Sequence, residues 1–184
     1  MRILISGGPG SGCTSTALAV GAALKLPVFD SDTFFHKPTD PPFQEQYTPD
    51  ERRALLQAAL VREENWILSG SISTWGLPDF TPTHGVFLEI PNEERLRRLE
   101  RRQADRFGSR IESGGDMADE HRSFLEWSAG YEERIGPGRN LATDRSFLES
   151  RSDRCIAFTE VIPFQELVTK VIEFLNEPPN AGQG

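Results

Sequence analysis

Cysteine and lysine are scarce in this chain of 184 residues: Cys13 and Cys155 are its two cysteines, and Lys25, Lys37 and Lys170 its lysines. Two cysteines in separate predicted elements cannot frame a disulfide scaffold, which points to a reducing, cytoplasmic setting. No run approaches the ~20 apolar residues of a membrane span, so no membrane partner is expected. A signal peptide is not expected either, because a glycine cluster follows directly on the first short apolar run. The formal net charge is −8, from 20 basic and 28 acidic side chains, which argues against a broad basic face for nucleic acid. The positive charges are also uneven. Arginines gather between Arg95 and Arg110, which suits a focused site for a small anion. The length and an apolar fraction of 37% fit one domain with a sizeable core.

What is present begins at residues 3–16, ILISGGPGSGCTST. A short apolar run enters glycines and leaves into an alanine- and leucine-rich stretch, which predicts strand, phosphate loop, helix. Glycines let backbone N–H groups turn around an anion, and the helix start adds the positive end of its dipole. Gly7, Gly12 and Thr14 have the spacing GxxxxGK[ST], with Cys13 at the lysine position. The expected phosphate-contacting run is Gly7, Gly8, Pro9, Gly10, Ser11, Gly12, Cys13, Thr14 and Ser15. In such loops the lysine reaches the β and γ phosphates, which a thiol cannot do. A bound polyphosphate would oppose a thiolate, so Cys13 is read as a small neutral spacer rather than a nucleophile or redox switch.

Residues 26–29 predict a second strand running into Asp30-Ser31-Asp32. Ligands of open α/β sheets sit beyond the carboxyl ends of strands, so these carboxylates belong beside the loop, placed for Mg²⁺ or simply solvated. The proline- and aromatic-rich segment 33–47 is long for a compact domain, and long loops are usually functional. Lys37 within it either swings toward phosphate or is an ordinary solvated lysine. Thr48, Pro49 and Glu51 mark a helix start, with Leu55, Leu56, Ala59 and Leu60 inward. Residues 66–69 predict the next strand, and 85–90 a fourth. In the helix that follows, Leu96 and Leu99 face inward, while Arg98, Arg101 and Arg102 share one basic face continued by Arg106 and Arg110. Phe124, Trp127, Tyr131 and Ile135 lie at helical spacing, and 144–151 predicts a further helix. Arg134, Arg139 and Arg145 are secondary candidates for phosphate. Residues 154–158 predict the last strand, an amphipathic helix follows, and 177–184 is expected to be a disordered tail. Strands separated by helices with right-handed crossovers make a parallel sheet covered on both faces.

The loop from Gly7 to Thr16, the Asp30-Ser31-Asp32 run and the arginine-rich segment together resemble the small-molecule kinase branch of P-loop proteins, adenylate kinase-like and shikimate kinase-like. The loop is further similar to that of adenylate kinase-like ATP-binding proteins with a GSGTST loop, in which threonine holds the lysine position. The resemblance implies a three-layer α/β/α fold with a five-stranded parallel sheet in the order 2-3-1-4-5. It implies one domain over 1–176, with an acceptor lobe at 33–64 and a helical lid insertion at 107–153. It also implies ATP and Mg²⁺, and phosphoryl transfer to a nucleoside, nucleotide or shikimate-like acceptor, by a monomer or homodimer. On this likeness Thr14 ligates Mg²⁺, and Asp32 touches a metal-bound water or the acceptor hydroxyl, with Asp30 the alternative. Phe35, Arg52, Gly70, Ser71 and Trp75 would meet the acceptor, Arg102, Arg106 and Arg110 the phosphates, and 159–161 the adenine. Trp75 stacks on substrate or anchors the fold. Cys13 keeps a rival open, a nucleotide-binding module with weak or no catalysis.

Overall fold

In the first strand, β1 (Arg2–Gly7), apolar side chains alternate sides with the period of two that a strand imposes. Ile3 and Ile5 join a buried cluster with Ile67, Val86 and Leu88, while Leu4 joins another with Leu68 and Phe87. A strand buried on both faces belongs in the middle of a sheet, and β1 is the middle one. The computed structural model describes residues 1–178, so positions 179–184 of the expected tail lie outside the described residues.

β3 (Trp66–Ser69) and β4 (His84–Leu88) flank β1 in parallel register, pairing Ile3 with Ile67 and Ile5 with Val86. β2 (Val28–Asp30) pairs with β3 and β5 (Arg154–Phe158) with β4, both parallel. The order is therefore 2-3-1-4-5. β2 starts later than the apolar run suggests: Lys25, at φ 57°, closes the preceding helix and turns the chain before the extended stretch begins.

α1 (Cys13–Leu24) and α7 (Phe164–Asn176) cover one face, through Ala17, Val20, Val171 and Leu175. α3 (Pro49–Leu60) and α6 (Leu141–Arg151) cover the other, through Leu56 and Leu148. α3 opens on a capping box. The Glu51 N–H donates to Thr48 Oγ1 at 3.3 Å and the Thr48 N–H to Glu51 Oε2 at 2.8 Å, which satisfies two donors and contributes about 1 kcal/mol. The short α2 (Asp32–Phe35) follows β2. α4 (Asn92–Phe107) leads through a 3-10 turn, Gly108–Ile111, toward α5 (Ala118–Ala129).

The segment expected as a lid, 107–153, divides in two. α5 lines a cleft at the carboxyl end of the sheet, whereas α6 is a core helix whose Leu148 is buried with Leu4 and Phe87. The apolar spacing from Phe124 to Ile135 does not make one stripe, because α5 stops at Gly130. Beyond it Tyr131 is buried and Ile135 is 96% exposed.

Candidate nucleotide site

Between β1 and α1 the loop is held by three arginines that take the carbonyls of alternate residues. Arg139 Nη2 donates to Gly7 O at 3.0 Å, Arg95 Nη1 to Pro9 O at 2.9 Å, and Arg98 Nη1 to Ser11 O at 3.4 Å. Gly10 has a φ of +84°, and a Cβ on it would lie 2.4 Å from the Arg95 carbonyl oxygen. A Cβ on Gly8 would lie 2.8 Å from the Tyr131 ring. The loop can therefore follow this path only without side chains at those points. No side chain caps the N-terminus of α1 and no acidic residue stands in its first turn. Its leading amides are left with the positive dipole end, the arrangement that binds an anion.

Arg95 is fully buried and also donates to Asn92 Oδ1 at 2.8 Å and Glu132 Oε1 at 3.2 Å. The reading that turned Leu96 inward is corrected here: Leu96 is half-buried, and Arg95 holds the inward position because the loop carbonyl gives its charge a partner. Arg98 is shared with Glu94, at 2.7 Å.

Cys13 borders the cleft but is only 9% exposed. Its thiol lies in the apolar cluster of Ile3, Ile5 and Ala17, with Sγ 3.2 Å from Ser11 Oγ. Burial pushes its pKa up to about 11, so the thiol is neutral at physiological pH whether or not a polyphosphate is near.

Beside the loop, Thr14 Oγ1 donates to Asp30 Oδ2 and the Asp32 N–H to Asp30 Oδ1, each at 2.9 Å. Burial nevertheless raises the Asp30 pKa, outweighing those two donors. Burial lowers that of Arg102, against the facing charges of Asp32 and Asp30. All of these groups border one cleft of about 920 Å³, within the range of small-molecule sites. Away from the loop it carries Phe35, Phe43, Trp75 and Phe107, whereas Trp127 lies beside Arg139, whose guanidinium is 5.7 Å from its ring centre.

Most of the residues singled out from sequence line this cleft: the loop from Gly7 to Ser15, Asp30, Asp32, Phe35, Gly70, Ser71, Trp75, Arg102 and Arg106. Others are spent elsewhere. Arg110 pairs with Asp116 at 2.7 Å and Asp40 at 3.3 Å, outside the cleft lining. Arg52 lies behind the aromatic wall, its guanidinium 4.0 Å from the Phe35 ring centre and its Nη2 donating to Tyr47 O at 2.8 Å. Lys37 pairs with Glu45 at 3.8 Å, away from the loop. Arg145 pairs with Glu89 and Glu149, and Arg134 donates to the Trp127 and Arg139 carbonyls. Residues 159–161 do not border the cleft. Trp75 is 5% exposed and packs with Leu56 and Ile72, so anchoring is one of its roles.

Sequence reasoning missed Asp144 as more than part of a helix start. Its side chain is fully buried and accepts from Ser71 at 2.6 Å, Ser73 at 2.5 Å, Tyr131 at 2.9 Å and Arg139 Nε at 3.2 Å. Nothing local marks it, since two of those partners stand more than 70 positions away.

The glycine loop, the strand order and the cleft define a P-loop protein. Within P-loop proteins the chain belongs to the AAA domain family, whose model matches residues 3–117. The chain is 29% identical over 177 residues to the uncharacterized protein YqaC of Bacillus subtilis (strain 168), covering 95% of this chain and 97% of that one. A shikimate kinase from Acinetobacter baumannii, solved in complex with shikimate, shares the fold with a TM-score of 0.55 at 16% identity, over 95% of this chain and 93% of its own. A sugar kinase from a Janibacter species does so with a TM-score of 0.52 at 18% identity, over the same shares. These two kinases are named for different acceptors, so the fold leaves the acceptor open.

Proposed function

We propose that the protein transfers the γ-phosphoryl group of ATP to a small metabolite, a nucleoside, nucleotide or shikimate-like acceptor. The observation that carries this reading is the uncapped start of α1, wrapped by the glycine loop at one end of a cleft with room for a nucleotide and a second molecule. The kinase-like fold supports it.

Among the described residues no group of three or more His, Cys, Asp or Glu side chains converges to hold a metal by itself. The donor set of Thr14, Asp30 and Asp32 is nonetheless all hard oxygen, and Mg²⁺ is commonly held by one or two carboxylates together with phosphates and waters. These residues fit Mg²⁺, which when bound neutralises phosphate charge. In the transfer, the bond from the γ-phosphorus to the β–γ bridging oxygen breaks as the acceptor oxygen bonds to phosphorus. Asp32 takes the acceptor's proton, and Arg102 with Arg106 offsets charge on the moving group. Asp30 orients Thr14. The aromatic end offers the acceptor an apolar wall in which Trp75 is buried and Phe43 is exposed.

Calorimetric titration with MgATP tests the first half. Thr14→Ala is expected to weaken binding by about tenfold or more at unchanged thermal stability, the scale of one charge-assisted contact; undiminished affinity sinks the reading. Repeating the titration with nucleosides, nucleotides and shikimate-like acids identifies the acceptor as the class that tightens ATP. The neutral, buried Cys13 favours a second reading, a nucleotide-binding module without catalysis. Absence of labelled phosphate on every acceptor, with ATP bound tightly, would select it.

A further inference from the structure

Residue 13 brings no charge to the loop, so a cation for the phosphates has to come from elsewhere. Of the arginines bound to loop carbonyls, Arg95 is fully buried with three other acceptors and Arg98 is paired with Glu94. Arg139 differs. It borders the cleft and its side chain is 27% exposed. Nη2 is bonded to Gly7 O at the loop entrance and Nε to Asp144 Oδ2, while Nη1 has no hydrogen-bond partner among the described residues. A guanidinium carries five N–H donors, so these two bonds leave three for a ligand.

Resting on the nucleotide reading above, we propose that Arg139 supplies the positive charge that the loop lysine would have supplied, binding the outer phosphates of a nucleoside triphosphate. Asp144 is its positioning residue. The carboxylate accepts from Ser71, Ser73 and Tyr131 as well, which fills its acceptor sites and leaves it no freedom to turn. Because Tyr131 also packs on Gly8, the loop, the arginine and the buried carboxylate form one rigid unit. A positioned arginine suits this role, since its planar fork binds phosphate oxygens bidentately and it stays charged at any working pH. It also explains how a buried thiol is tolerated at residue 13. The charge has moved to another segment of the chain, and the space left by the lysine is filled by core.

The test is titration of the full chain with ATP, ADP and AMP in the presence of Mg²⁺, for the natural protein and for Arg139→Ala, Arg139→Lys and Asp144→Asn, with thermal unfolding alongside. Arg139→Ala is expected to lose about 10- to 100-fold in ATP affinity and less than about twofold in AMP affinity, the scale of one or two charge-assisted hydrogen bonds. Arg139→Lys, which keeps charge and bulk, recovers part of the loss and covers the case in which the alanine variant does not fold. Asp144→Asn narrows the ratio of ATP to AMP affinity by several-fold, because Asn presents donors where Arg139 and Tyr131 need acceptors. Equal ATP affinity in folded Arg139→Ala overturns the proposal and leaves the nucleotide reading standing. Parallel loss of all three nucleotides makes Arg139 structural and also overturns it. Failure of the natural protein to bind ATP at millimolar concentration removes both.

Discussion

At the loop end of the cleft the wall is backbone, the stretch from Gly7 to Gly12, with its outward carbonyls held by Arg95, Arg98 and Arg139. At the far end the wall is side chains, gathered from the stretch following β2, the segment after β3 and the end of α4. In the proposed function the first end recognises a shape, an anion of phosphate size, through amides that nearly every residue carries. The second would recognise the acceptor through the identities of Phe35, Trp75, Phe107 and their neighbours. Backbone recognition changes little with sequence as long as the glycines remain, whereas side-chain recognition can be rewritten one position at a time. That is why the fold carries a nucleotide reading more firmly than an acceptor.

The contrast can be broken from either end. Trp75→Ala has the largest expected effect, about 3–5 kcal/mol of stability lost, because it empties a buried aromatic site in the cluster of Leu56 and Ile72. Chemical denaturation measures it, and Trp75→Phe should restore most of the stability while altering acceptor affinity alone. Next comes Gly10→Ala, which forces a side chain onto a φ of +84° against the Arg95 carbonyl. It should cost about 1–3 kcal/mol and reduce ATP binding far more than any change at the aromatic end; a variant that binds ATP normally would refute backbone recognition.

Two smaller effects sharpen the comparison through pH. The folded protein raises the Cys13 pKa from 9.0 to about 11. A raised folded pKa means that the stabilisation is complete below the unfolded value and is lost as pH rises through the folded one. Stability should therefore fall between roughly pH 9 and 11, and Cys13→Ala should flatten that limb of the melting-temperature curve. Asp30 follows the same sign at lower pH, since burial raises its pKa and its charge is a cost at neutrality. Asp30→Asn is expected to raise the melting temperature by about 1–2 °C at pH 7, with the gain vanishing in acid, while it weakens Mg²⁺-dependent ATP binding. Destabilisation at pH 7 would show that its bonds from Thr14 and Asp32 outweigh the burial cost.

Much of this was readable along the chain. The glycine loop, the alternation in β1, the Thr48 and Glu51 capping box and the order of strands and helices all depend on neighbours within a few positions or on the period of an element. So does the placement of Asp30 and Asp32, which follows from their standing at the end of a parallel strand. The arginines were a different matter. Sequence spacing put Arg98, Arg101 and Arg102 on one basic face, yet it could not tell that Arg95 turns inward to the loop, that Arg110 is consumed by Asp116 and Asp40, or that Arg52 stacks behind Phe35.

Local sequence by itself determined the strand–loop–helix unit, because backbone geometry and hydrophobic period are set by adjacent residues. Tertiary structure alone decided which charges reach the cleft. A long arginine side chain can serve a carbonyl, a carboxylate, an aromatic face or a ligand at nearly equal gain, and the choice falls to whichever partner the fold brings within about 3 Å. Asp144 is the clearest case: donors from Ser71, Ser73, Tyr131 and Arg139 converge on it only after the segment following β3, the turn after α5 and the start of α6 have packed together.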